Sequence, residues 1–331
     1  MPQPPHRRGT PLQNWRVGGS LGFDGTESKP LNPIASPLCL SYIWPRTPRP
    51  ILDSEGRVFA VLVGQPDNPS FATSCANVLS LMAQEGKGIQ FLKKDKRHRR
   101  GHFPAVNVGV MHGKGTQYPI NISTFPYSEA VQKLLDDPDV QRLATFSSAA
   151  FQQWFPKIFD YYKDRLDQLW GEFTPPEGGS PLKKNFVRSI YTSAAFNFGP
   201  QVCTFKHRDY LNCPFGLCAV QALGSFDHTK GGHIVLWEAK IFAEFPANSV
   251  ILIPSATITH SNLPCQLGET RISFTQYCAG GLFRYVDNGF KTDSQLKEED
   301  PELYERTMKR RESRWKEGLA LFSRLEELSS R

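Results

Sequence analysis

The strongest constraint on the fold is a series of short apolar or alternating runs between residues 231 and 277, separated by glycine and proline. Gly231-Gly232-His233-Ile234-Val235-Leu236-Trp237 reads as a strand entered from a glycine turn. Val250-Ile251-Leu252-Ile253, stopped by Pro254, is a continuous apolar run of the kind that suits a strand buried on both faces. Gly268 marks another turn, and residues 271–277 follow as a strand. Side chains alternate across a strand, so Arg271, Ser273, Thr275 and Tyr277 share one face, and Ile272, Phe274 and Gln276 share the other.

Three chemistry-bearing pieces sit in and beside this frame. His207 and Asp209 are two apart and point to one side of an extended segment. His260 lies fifty-three residues further on, and Arg271 eleven beyond that. Two imidazoles and one carboxylate form the donor set that holds iron on one face in non-haem Fe(II) oxygenases. Arg271 with Ser273 two residues away makes a carboxylate-binding pair, because a planar guanidinium can hold both oxygens at once. Each piece also has an ordinary reading. His-x-Asp arises by chance, a lone histidine is more often buried in a core, and a lone arginine is more often a salt-bridge partner. Their order and the strand breaks between them favour the metal reading. His-Arg-Asp also opens the protein-kinase catalytic loop, but that loop needs Asn where this chain has Pro214, and no Asp-Phe-Gly follows.

The rest of the chain supplies a frame and a charge. Residues 1–50 are rich in Pro and Gly and read as an arm, extended or partly disordered. Residues 57–64 read as a strand, 77–82 as a short helix and 103–110 as an alternating strand. In the 127–171 region Ser128 is placed as a helix cap, and Pro138 ends or interrupts that helix. A second helix is predicted from about 149 to 173, with Phe151, Trp154, Phe155, Ile158, Phe159, Tyr162, Leu166 and Leu169 as a core stripe. Residues 174–181 form a linker, residues 292–294 a helix start, and 298–328 a charged amphipathic helix. These helices need a sheet to bury against. The expectation is therefore one compact α+β domain with four parts: the arm, an N-terminal part (51–180), a catalytic core (181–290) and a C-terminal helix (291–331).

Composition narrows the partners. The chain has 331 residues and a formal net charge of +7. Much of the imbalance lies in the run 93–100, where Lys93, Lys94, Lys96, Arg97, Arg99 and Arg100, with His98 among them, face one acid, Asp95. Such a run suits phosphate contacts, and its ordinary reading is a solvated loop or a localisation signal. No apolar stretch is long enough to span a bilayer, so no membrane partner is expected, and no obligate protein partner is evident. The seven cysteines are scattered, odd in number and never spaced Cys-x-x-Cys, which points to reduced thiols in an intracellular protein and away from structural zinc.

The region 185–290 resembles the double-stranded β-helix (jelly-roll) core of 2-oxoglutarate- and Fe(II)-dependent dioxygenases. Within that superfamily it is similar to the TET/JBP branch, and to its fungal 5-methylcytosine dioxygenases in particular. His207-Arg208-Asp209-Tyr210-Leu211-Asn212 fits the animal pattern His-Arg-Asp-x-x-Asn, and Thr270-Arg271-Ile272-Ser273 fits Thr-Arg-Ile-Ser. Asn197-Phe198-Gly199-Pro200, Lys230-Gly231-Gly232-His233 and Gly280-Gly281-Leu282-Phe283-Arg284 extend the fungal resemblance. The resemblance implies that His207, Asp209 and His260 hold Fe(II). It implies that Arg271 and Ser273 hold the distal carboxylate of 2-oxoglutarate, and that Asn212 touches a flipped base. It further implies O2 as co-substrate, methylated double-stranded DNA as partner and the nucleus as location. Two departures bear on base choice. Ala279 stands where animal members carry a base-contacting His, and their long Cys-rich zinc region is absent. N6-methyladenine stays open as a further substrate. Also open are a nucleic-acid N-demethylase, a protein hydroxylase and a non-catalytic β-helix module that only binds DNA.

Overall fold

The computed structural model describes residues 40–42 and 48–329. In chain order the elements are β1 (Leu40–Tyr42), β2 (Arg49–Leu52), β3 (Val58–Gly64), α1 (Pro69–Gly88), α2 (Lys93–Lys96), β4 (Ala105–Met111) and β5 (Ile120–Asn121). Then come α3 (Ser128–Asp136), α4 (Pro138–Trp154), α5 (Pro156–Glu172), β6 (Ser193–Asn197) and β7 (Cys218–Ser225). They are followed by β8 (Ile234–Leu236), β9 (Ile241–Ala243), β10 (Val250–Ile253), β11 (His260–Asn262) and β12 (Thr270–Tyr277). Among the described residues four helices follow: α6 (Gly280–Asp287), α7 (Asp293–Glu299), α8 (Pro301–Ala320) and α9 (Leu325–Ser329).

Two sheets form the body. The larger has eight strands in the order β2-β3-β10-β7-β12-β6-β4-β5, and the smaller has four, β1-β9-β8-β11. Every pair in the large sheet is antiparallel. In the small sheet β1 joins β9 in parallel, so part of the N-terminal arm lies along a sheet edge, and Arg49 and Pro50 already belong to β2. The remainder of that arm falls outside the described residues.

The core between the sheets is aliphatic. Ala60, Leu62, Ala222, Ile251 and Ile253 of the large sheet meet Ile234, Leu236, Ile241 and Ala243 of the small one. The outer face of the large sheet is covered by helices. Val250 and Leu252 pack there with Phe151, Phe155, Ile158 and Tyr162. The apolar run 250–253 is thus buried on both faces, as its lack of alternation predicts. On β12 the expected alternation also holds. Ile272 and Phe274 join the helix-side core, and Gln276 donates to the carbonyl of Ala144 on α4. The arrangement is the expected α+β jelly roll braced by helices.

Helix boundaries depart from the sequence reading, and proline explains most of the differences. The helix expected over 149–173 is two helices. Pro156 opens α5, lacking an N–H to give to the preceding turn, and Phe155 ends α4 in a non-helical conformation. Pro138 opens α4 in the same way, with the Asp137 carboxylate accepting from the N–H groups of Asp139 and Val140. Ser128 does not cap α3. It is the first helical residue, and its hydroxyl receives a hydrogen bond from Thr124. The helix around 77–82 is the middle of the much longer α1. The C-terminal helix is broken at Asp300-Pro301, and along α8 only Gly318 is fully buried.

Candidate active site

Backbone pairing brings the two distant histidines together. His207 and His260 are opposed as an antiparallel bridge, each N–H donating to the other's carbonyl at 3.0 and 2.9 Å. Their ring centroids lie 4.3 Å apart. Asp209 is fixed by its own N–H, which donates to the Ser255 carbonyl at 2.8 Å. The segment leading to His207 is stapled by buried Asn262. Its side-chain oxygen accepts from both the N–H and the hydroxyl of Thr204, and its nitrogen donates to Val202 and Leu263.

The three donors face one another. All ligand atoms of His207, Asp209 and His260 lie within 4.8 Å of each other. One carboxylate oxygen of Asp209 is 3.9 Å from His207 Nε2, and the other is 3.8 Å from His260 Nε2. Nδ1 of His207 lies 2.7 Å from the Phe205 carbonyl, and Nδ1 of His260 lies 3.0 Å from the Ile258 carbonyl. A carbonyl only accepts, so each Nδ1 carries the proton and each Nε2 presents its lone pair inward. Burial pushes the His207 imidazole down to about 4, helped by the neighbouring His260, and burial also lowers His260. Burial would raise the Asp209 carboxyl, but His260, His207, Arg100 and Arg99 together hold it below its ordinary value. Two neutral imidazoles and an ionised carboxylate are the protonation states a divalent cation needs.

Arg271 is the second feature. It is 2 % exposed, and its guanidinium lies between the rings of Phe226 and Phe245, at 5.9 and 5.6 Å from their centroids. One Nη donates to the Val202 carbonyl at 3.1 Å, while Nε is buried without a partner. Among the described residues no carboxylate pairs with it. Burial pulls its pKa down to about 10, which leaves it a cation at neutral pH. An uncompensated buried guanidinium is expensive, and an anion arriving there removes that penalty. Ser273, on the same strand face, accepts a hydrogen bond from Asn197 at 3.0 Å. Asn197 Oδ1 is itself buried without a partner. The side chains present fit a small dicarboxylate with one end at Arg271.

The remaining sequence-derived residues fall out as follows. Asn212 is half-buried near the site, its amide nitrogen 3.2 Å from both Ser255 Oγ and Cys218 Sγ. Its backbone is bridged to Ala279, so the two positions linked to base contact by resemblance are neighbours. Lys93, Lys94 and Lys96 lie on α2 and stand exposed, as does Arg97, and among the described residues none of these four forms an ion pair. Arg99 and Arg100 are different. The Arg100 carbonyl accepts from the Phe205 N–H at 2.7 Å, which draws the basic run against the segment leading to His207. Arg99 donates to Asp209 at 3.0 Å and to the Arg208 carbonyl at 2.8 Å. The sequence gives no sign of this contact with a candidate ligand, because the two residues lie 110 positions apart. It also gives no role to Asn262, whose nearness to His260 is the only available hint.

No protein-family model matches the chain, and no curated protein matches it. Among solved structures, NgTET1 in complex with 5mC DNA aligns with a TM-score of 0.50 at 13% identity, covering 73% of this chain and 83% of that one. A 2OG-Fe(II) oxygenase from Burkholderia pseudomallei aligns at 18% identity over 66% of this chain and 85% of that one, with a TM-score of 0.35. The chain shares its fold with NgTET1. That fold, a convergent His-Asp-His set and a buried arginine that meets no acid among the described residues together fit Fe(II) and 2-oxoglutarate as the cofactor pair.

Proposed function

We propose that this protein is a 2-oxoglutarate- and Fe(II)-dependent dioxygenase that oxidises the methyl group of 5-methylcytosine in DNA to hydroxymethyl and further products, acting in the nucleus. One observation carries the oxygenase reading: a fully buried guanidinium with no acid beside it among the described residues, bonded to the segment that leads five residues later into His207. The DNA reading is supported by the motif around Asn212, by the fold shared with a protein solved on 5mC DNA, and by the basic run beside the ligands.

In this reading His207, Asp209 and His260 would hold the metal. Fe(II) with 2-oxoglutarate and O2 bound supplies oxidation of a C–H bond, the cosubstrate leaving as succinate and CO2. The protein's part is position and exclusion of water. Arg271 and Ser273 anchor the distal carboxylate, and the rings of Phe226 and Phe245 keep that end dry. The carbonyls of Phe205 and Ile258 fix the imidazole planes. Asn212 offers its amide to the base edge. Lys93, Lys94, Lys96 and Arg97 take phosphates, with Arg99 and Arg100 at the rim of the site. A methyl on a paired base cannot reach this pocket, so the nucleotide leaves the stack at a cost of a few kcal/mol.

The test is nucleoside mass spectrometry after incubation with Fe(II), 2-oxoglutarate and a 5-methylcytosine duplex, with methylated RNA and a methylated peptide in parallel. The expected result is hydroxymethylcytosine formed with succinate. Succinate release on RNA or peptide alone would assign a different oxygenase, and neither metal uptake nor succinate release would assign a binding module.

A further inference from the structure

Nine large hydrophobic side chains stand exposed among the described residues, and three of them fall in the seven-residue window that carries His207 and Asp209. Phe205, Tyr210 and Leu211 are 48 %, 67 % and 41 % exposed. Their placement is built. The N–H of Asn212 donates to the Asp209 carbonyl at 2.8 Å, closing a tight turn with Tyr210 and Leu211 at its tip. The Leu211 carbonyl accepts from the Gly280 N–H at 2.8 Å, which fixes the turn to the start of α6. The Arg99 guanidinium sits over the Tyr210 ring, 5.3 Å from its centroid, while bonded to Asp209. One arginine thus joins the exposed ring to the candidate ligand. Phe205 is met edge-on by His102 at 5.1 Å. Arg208, exposed and two residues before Tyr210, adds a second positive charge to the Arg99 guanidinium over the ring.

An exposed apolar tip backed by arginine is complementary to a polyanion whose interior is a stack of flat rings. We infer that Tyr210 and Leu211 are a wedge that enters the base stack of duplex DNA and fills the space left by the nucleotide turned into the site. The inference rests on the proposed DNA substrate and adds how the duplex is opened. Arg99 backs the ring by a cation–π contact, so the wedge keeps its direction when it meets the stack.

The experiment uses the full chain and a 5-methylcytosine duplex carrying 2-aminopurine beside the target, with the same strand unpaired as comparison. Wild type raises the 2-aminopurine fluorescence of the duplex. In Tyr210→Ala the rise is lost, and the ratio of duplex to single-strand turnover falls about tenfold or more, because a single strand has less stacking to undo. Tyr210→Phe, which keeps the ring over Arg99, restores both. Mn(II) binding by Tyr210→Ala equals that of wild type. Equal turnover losses on duplex and single strand, no loss on either, or weakened Mn(II) binding would overturn the wedge. Wild-type protein that oxidises neither strand would overturn the substrate reading, and the wedge with it.

Discussion

At the scale of single residues, the oddest group is Arg271, a buried cation that meets no anion among the described residues. Arg271→Ala should raise the 2-oxoglutarate concentration needed for half-maximal turnover about a hundredfold or more, because a buried charge pair no longer forms. Arg271→Lys should recover only part of this, since an ammonium lacks the planar fork. Thermal shift separates the two states of the site. Added 2-oxoglutarate should raise the melting temperature of metal-loaded wild type and leave that of Arg271→Ala unchanged. An equal rise in both would remove Arg271 from the cosubstrate pocket. His207, Asp209 and Arg271 are visible in the sequence because spacing and strand alternation limit where such side chains can point. The contact of Arg99 with Asp209 is not, because it is set by the fold of a distant segment.

At the scale of elements, strands are more legible than helices. Val250-Ile251-Leu252-Ile253 is β10 without change, because an unbroken apolar run between polar turns has few other uses. Helical periodicity runs on through Phe155-Pro156 and Asp300-Pro301, where the aromatic and leucine spacing continues although the backbone cannot. Thr292 is legible as a helix start. Its hydroxyl accepts from the Gln295 N–H at 3.2 Å, and the Gln295 side chain accepts from the Thr292 N–H at 2.9 Å, a reciprocal capping box. Thr292→Ala should therefore lower stability by about 1 kcal/mol, read as a shifted denaturant midpoint with an unchanged slope. Gly224, opposite Arg271 on β7, has φ +142°, and a Cβ there would lie 2.1 Å from the Thr270 carbonyl oxygen. Gly224→Ala should force β7 and β12 apart beside Arg271, costing about 1–3 kcal/mol and, on the proposed reading, weakening 2-oxoglutarate binding. Full stability in that variant would contradict the close approach.

At the scale of the molecule, buried and half-buried histidines set the response to acid. His98, His112 and His233 are each held below their ordinary value of 6.5, first of all by burial. The unfolded chain binds those protons near 6.5 and the folded chain does not. Stability is therefore full above that pH and declines as pH falls below it. Denaturant midpoints at pH 7.5 and 5.5 check the sign, and equal midpoints would contradict it. The exposed charges of Lys93, Lys94, Lys96 and Arg97 act outward. Replacing all four by Ala should reduce the salt slope of DNA binding by about 3 to 4, near one for each phosphate left without its cation. An unchanged slope would take the DNA elsewhere. On the proposed reading, His207, Asp209, His260 and Arg271 build a single site for a cation and a dicarboxylate. Calorimetric titration of Mn(II), then of 2-oxoglutarate, addresses it most directly. Wild type should take up one cation per chain and bind 2-oxoglutarate only after it; Asp209→Ala should lose both, and Arg271→Ala should lose 2-oxoglutarate alone. Cation binding by Asp209→Ala equal to that of wild type would contradict it.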